Sequence, residues 1–201
     1  MDKLLLREKK ENIEILTLND PKKLNALSEE MLSQLECAFK EIAKDKKIRV
    51  VIIQSSGKAF CAGHDLKQMQ LARKSKDKGK KYYNDLFRRC GKMMVSIRKL
   101  PQPVIASVDG IATAAGCQLV ATCDLAIAST EATFGVNGVN IGLFCSTPMV
   151  ALSRNIGKKK VFEMLVTGDF LDAKSAMSEG LVNKVVRPEN LQKESFALAC
   201  K

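Results

Sequence analysis

The chain has no tryptophan, two tyrosines and a single histidine, His64. With so few flat rings, the stacking platforms on which single-stranded nucleic acids rest are scarce, and no RNP-type aromatic pattern is present. A lone histidine argues against a histidine-containing zinc site. The seven cysteines are Cys37, Cys61, Cys90, Cys117, Cys123, Cys145 and Cys200. Their number is odd, none form a CxxC pair, and most have apolar neighbours. They are expected as buried, reduced thiols in a reducing compartment, with no metal bound. Long apolar runs are missing too. The N-terminal MDKLLLREKKENIEIL is too short in apolar residues for a signal peptide, and acidic residues follow at once. The stretch from Ile111 to Ser129 is largely apolar, but it holds Gln118, Asp124 and several Gly and Ala positions. It reads as a buried helix followed by a buried strand, not as a membrane span. The expected compartment is the cytoplasm, or the mitochondrial matrix if a presequence is absent from this chain.

Acidic side chains are also in deficit: 22 Asp+Glu stand against 33 Lys+Arg, a net charge of +11. Such an excess favours polyanionic partners, among them coenzyme A phosphates and RNA, although lysine-rich faces also keep a protein dissolved without any partner. What the chain does have is a hydrophobic fraction of 46% over 201 residues. That is enough for one domain burying ~70% of the surface its unfolded form exposes.

The patterning alternates strands and helices. Residues 11–18 alternate as a strand, closed by Asn19-Asp20-Pro21. Ser28 is placed to cap a helix that carries Glu29 and Glu30 at its positive end and Met31, Leu32, Leu35, Phe39 and Ile42 on one face. Val50 to Ile53 is a short apolar strand, and Phe60 to Lys67 a strand-to-helix junction containing a glycine. Lys74 to Lys81 reads as a basic loop. Leu86, Cys90, Met93, Ile97 and Leu100 define an amphipathic helix ended by Pro101 and Pro103. Strands follow at 104–108, 123–128, 132–134 and 181–186. Helices are expected to open at 115–118 and to occupy 147–155, 159–166 and 173–179. This order implies an α/β domain.

Several segments resemble the crotonase (enoyl-CoA hydratase/isomerase) superfamily in order and spacing. PKKLNAL (21–27) is similar to the family's first CoA-contacting loop and KAFCAGHDLK (58–67) to its first oxyanion segment. PVIASVDGIATAAGCQLVATCDLAIAS (103–129) is similar to the strand, turn and helix that supply the second oxyanion donor. TFGVNGVNIGLF and EGLVNKVV also match. The resemblance implies a spiral of ββα units over residues 1–190, with 191–201 beginning a C-terminal helical region cut short at Cys200-Lys201. It implies an acyl-CoA thioester as substrate, no cofactor beyond that coenzyme A, and a homo-oligomer, trimeric or hexameric. Membrane and nucleic-acid partners are not expected.

By the same resemblance, the backbone amides of His64 and Ala115 are the oxyanion donors. Lys22, Lys23, Leu24, Ala62, Gly63, Asp65, Leu66, Lys67 and Gly116 are the remaining substrate- and CoA-binding positions. The two glutamates with which typical hydratases position and activate water belong where this chain has Gln118 and Gly138. Neither residue can act as a carboxylate acid or base. Further along, where isomerases often place their acid, stand Cys145, Ser146 and Thr147. The functions in contention are an enoyl-CoA-handling enzyme of fatty-acid metabolism, a catalytically silent acyl-CoA binder, and an RNA-binding relative.

Overall fold

A computed structural model describes residues 3–201. Strands β1 (Leu5–Lys10) and β2 (Ile13–Leu18) form an antiparallel hairpin that leads into helix α1 (Glu29–Ile42). The chain then winds as a spiral, each turn giving one strand to each of two sheets before a helix. The first turn is β3 (Val50–Ser55), β4 (Ala59–Cys61), α2 (Leu66–Ala72) and α3 (Lys80–Arg98). The second is β5 (Val104–Val108), β6 (Ile111–Thr113) and α4 (Ala115–Thr122). The third is β7 (Leu125–Ser129), β8 (Thr133–Gly135), α5 (Ser146–Leu152) and α6 (Lys158–Thr167). It closes with β9 (Leu171–Asp172), α7 (Ala173–Ser178), β10 (Lys184–Val186) and α8 (Leu191–Ala199).

The larger sheet runs β1-β2-β3-β5-β7-β10, parallel from β2 onward. The smaller runs β4-β6-β8-β9, with only β9 antiparallel. The expected α/β spiral is therefore the fold. Local chemistry explains several boundaries. The Ser28 side chain accepts from the Met31 amide, and the Asp65 carboxylate accepts from the amides of Lys67 and Gln68. Both satisfy donors that a helix start leaves unpaired.

Both faces of the large sheet are covered. On β3, Val51 and Ile53 enter the main core, while Ile52 faces the other way against Ile13, Ile105 and Ala199. Helix α8 lies over this second face, and its buried Ser195 hydroxyl donates to the Ser107 hydroxyl of β5 at 2.9 Å. A continuous apolar run such as 50–53 is what a strand buried on both faces requires.

Four details differ from the sequence reading. Strand β1 was not anticipated, because its residues after Leu5 are mostly polar and exposed. It pairs through backbone bonds on the sheet edge, where alternation is weak. Residues 111–113 form a strand before the helix instead of part of it, and the last strand is confined to 184–186. The basic loop ends at Gly79, since Lys80 and Lys81 already belong to α3.

Candidate active site

The site lies where the first two spiral turns pass from the smaller sheet into helices. At the end of β4, the Ala62 amide donates to the Leu24 carbonyl at 3.0 Å, and the Leu27 amide donates to the Gly63 carbonyl at 2.7 Å. These bonds hold PKKLNAL against FCAGHD. Lys22 and Lys23 lie exposed in a 3-10 turn at Pro21–Lys23, and the Lys23 ammonium sits 3.8 Å from the Asp65 carboxylate. The buried Asn25 side chain clamps the same loop, donating to the carbonyls of Ser56 and Ala59. Leu66 and Lys67 are exposed on the first turn of α2.

The second spiral turn is brought directly alongside. Gly63 has φ +86, and a Cβ there would lie 3.0 Å from the Ala114 Cβ and 3.3 Å from the Ala115 nitrogen. Gly116 is tighter still: a Cβ would stand 2.1 Å from the Cys61 carbonyl oxygen. Glycine at both positions is thus required by contact between the two segments as well as by local turn geometry.

Between Gly63 and Gly116 lies Ala114, with φ 50 and ψ −118. That conformation is rare for a residue with a side chain and costs roughly 1–3 kcal/mol. It is pinned from both sides, by its amide to the Gly135 carbonyl at 2.9 Å and by its carbonyl from the Gln118 amide at 3.0 Å. Neither the His64 nor the Ala115 amide donates to any group among the described residues. Sequence reasoning did not single out Ala114, because alanine carries no signature for positive φ.

The His64 imidazole is partly buried and meets the Phe87 ring edge-on, with centroids 5.5 Å apart. Its Nδ1 is buried without a hydrogen-bond partner among the described residues. Burial pushes its pKa below the usual histidine value, against an opposing contribution from the Leu27 backbone. Gln118 is 6% exposed, and its Oε1 is buried with no hydrogen-bond partner among the described residues.

Gly138 is buried in a 3-10 turn at Asn137–Ile141, tied to β6 by the Thr113 hydroxyl donating to Asn137 Oδ1 at 2.7 Å. A Cβ on Gly138 would meet the Leu143 carbonyl oxygen at 2.7 Å and the Cys145 sulfur at 2.8 Å. The position that resembles a glutamate site is therefore closed by backbone and by a thiol. Burial pushes the Cys145 thiol up, and that of its neighbour Cys117 to about 12. Neither is prepared as a thiolate nucleophile.

The family profile described as enoyl-CoA hydratase/isomerase matches residues 8–201. The chain belongs to the enoyl-CoA hydratase/isomerase family. It is 44% identical over 198 residues to the mitochondrial enoyl-CoA hydratase domain-containing protein 3 of Xenopus laevis, covering 98% of this chain and 66% of that protein. The Homo sapiens counterpart is 44% identical over 191 residues, covering 95% of this chain and 61% of that protein. The chain thus spans less than two thirds of the length of these relatives. Among solved structures, an enoyl-CoA hydratase of Mycobacterium smegmatis superposes with a TM-score of 0.94 at 55% identity, covering 99% of this chain and 76% of that one. Human enoyl-CoA hydratase domain-containing protein 3 superposes at 0.92 with 43% identity, covering 98% and 76%. No described helix is long and apolar enough to cross a membrane.

Proposed function

We propose that this chain binds an acyl-CoA thioester with the carbonyl oxygen between the backbone amides of His64 and Ala115. The observation that carries the reading is their arrangement: two amides without acceptors among the described residues, on abutting segments, one opening a helix at a strained alanine. Donors held in advance, where charge develops on the thioester oxygen, stabilise an enolate without reorganising at the moment of reaction. Removing one such donor typically costs ~10²–10³-fold in rate. Lys22 and Lys23, exposed beside the first segment, supply positive charge for the coenzyme's phosphates. The role requires no cofactor other than the CoA carried by the substrate.

Hydration by the two-glutamate route is expected to be slow, because Gln118 can orient a water but cannot take its proton, and Gly138 has no side chain. Polarisation at the two amides still favours enolate chemistry such as isomerisation, with an acid from elsewhere. The lack of both carboxylates equally favours a second reading, a silent acyl-CoA binder. Acetoacetyl-CoA, whose enolate carries the charge such a site accepts, is the probe. A ligand that binds only the folded state raises its melting temperature. The expected result is a saturable rise, while no shift at millimolar ligand would defeat the reading. Crotonyl-CoA turnover separates enzyme from binder.

We also propose self-association. Ile141, Leu143, Phe144, Phe162 and Val166 are large, exposed apolar side chains on the 137–145 segment and α6. Apolar surface of this kind marks association. A monomer by light scattering at tens of micromolar would refute it.

A further inference from the structure

Helices α3, α4 and α5 line a cavity of about 440 Å³ that is open to solvent, with Val95, Asp124 and Val150 exposed along it. One wall is Gln118, three residues beyond Ala115, and its buried Oε1 lacks a partner among the described residues. Met94, Val95 and Val150 give the cavity an apolar lining. Its remaining feature is Arg98, at the end of α3, and Arg154, just after α5. Both are exposed, and neither makes an ion pair or side-chain hydrogen bond among the described residues. The cavity also holds one carboxylate, Asp124, whose Oδ2 accepts from the Val104 amide at 2.8 Å. Two guanidinium groups against one engaged carboxylate leave the lining net positive.

This combination does not suit a plain hydrocarbon tail. A space lined by Gln118 of the candidate site, by apolar side chains and by two arginines unpaired among the described residues suits an acyl chain that carries an anion. Guanidinium is the side chain whose fixed fork of donors matches a carboxylate in two parallel bonds. We propose that the cavity receives the acyl group of a dicarboxylic acid monothioester of CoA, with its free ω-carboxylate held by Arg98 and Arg154. The assignment rests on the acyl-CoA reading above and names the substrate class of that same site. Gln118 Nε2 and Oε1 are then available to a polar group near the thioester, such as a water or the α-carbon's substituent.

The experiment compares equal-length pairs by calorimetry on the intact chain: glutaryl-CoA with pentanoyl-CoA, adipoyl-CoA with hexanoyl-CoA, and suberoyl-CoA with octanoyl-CoA. A charge-assisted bidentate contact makes the ω-carboxyl ligand bind about tenfold or more tightly at one of these lengths. Arg98→Met and Arg154→Met each shrink that preference and leave the affinity for the neutral partner within about twofold. Lys159→Gln, a charge change on α6 outside the cavity, leaves the preference intact and so separates a local contact from the chain's overall positive charge. Equal or tighter binding of the neutral ligand at all three lengths overturns the inference while sparing the acyl-CoA reading. A preference that survives both arginine substitutions overturns it as well. If none of the six ligands binds, the acyl-CoA reading fails and the inference falls with it.

Discussion

Gly116 of α4 packs against the Cys61 carbonyl of β4 so closely that a Cβ would stand 2.1 Å from the oxygen. This contact sets how near the two candidate donor segments approach, and it makes the glycine a sensitive place to test the site's construction.

Gly116→Ala is expected to destabilise the protein by about 3 kcal/mol or more, because backbone on both sides must move. Gly91 provides the contrast: it lies inside α3, and an added Cβ meets nothing within 4 Å. Gly91→Ala should stabilise by roughly 0.5–1 kcal/mol through helix propensity. Urea denaturation of both variants checks the pair. A tolerated Gly116→Ala would mean the two segments are not held in contact.

Burial lowers the His64 pKa from 6.5 in the folded chain. Between that lowered value and 6.5, the unfolded chain binds a proton that the folded chain does not. Stability from this group is therefore full above pH 6.5 and is lost as pH falls from there toward the folded value. Melting temperature measured from pH 8 to pH 5 should fall more steeply for the native sequence than for His64→Gln. Parallel curves would show that the imidazole is not buried in its neutral form.

Gln118→Glu should raise crotonyl-CoA hydration, on the order of 10²-fold for one restored acid–base group. Gly138→Glu should not match it, because its Cβ would meet the Leu143 carbonyl and the Cys145 sulfur within 3 Å. That variant is expected to lose stability and gain little rate. Steady-state assays alongside thermal melts test both. An unmodified chain that already hydrates at ordinary enzyme rates would show that another acid–base pair is at work.

The cysteines should separate cleanly in reaction with a disulfide reagent at pH 8. Cys37 and Cys200 are exposed, and Cys37 is slowed because its thiol hydrogen-bonds to Glu41, which raises its pKa. Cys61, Cys90 and Cys117 are buried, with thiols pushed up to about 12, and the buried Cys123 is raised as well. Cys200 should therefore react first, Cys37 next and half-buried Cys145 later, with the other four reacting only on unfolding. Rapid modification of a buried thiol in the native chain would contradict the packing.

The sequence alone determined the elements whose signals are local. Alternation over 13–18, the Ser28 cap and the four-and-three spacing along 86–100 each specify a strand or helix from neighbours only a few residues away. The order of PKKLNAL, FCAGHD and ATAAGCQ likewise located the candidate donors by resemblance. What only tertiary structure decided were contacts between segments distant in the chain. The pairing of β1 comes from backbone bonds across a hairpin, which polar side chains do not advertise. The positive φ of Ala114 is imposed by β8 and α4 acting on either side of it. The closure of Gly138 by Cys145, and the meeting of Arg98 and Arg154 at one cavity, depend on how α3, α5 and the 137–145 turn pack around α4. No periodicity within a single segment encodes such distances, because they arise from three helices and a turn sharing one space.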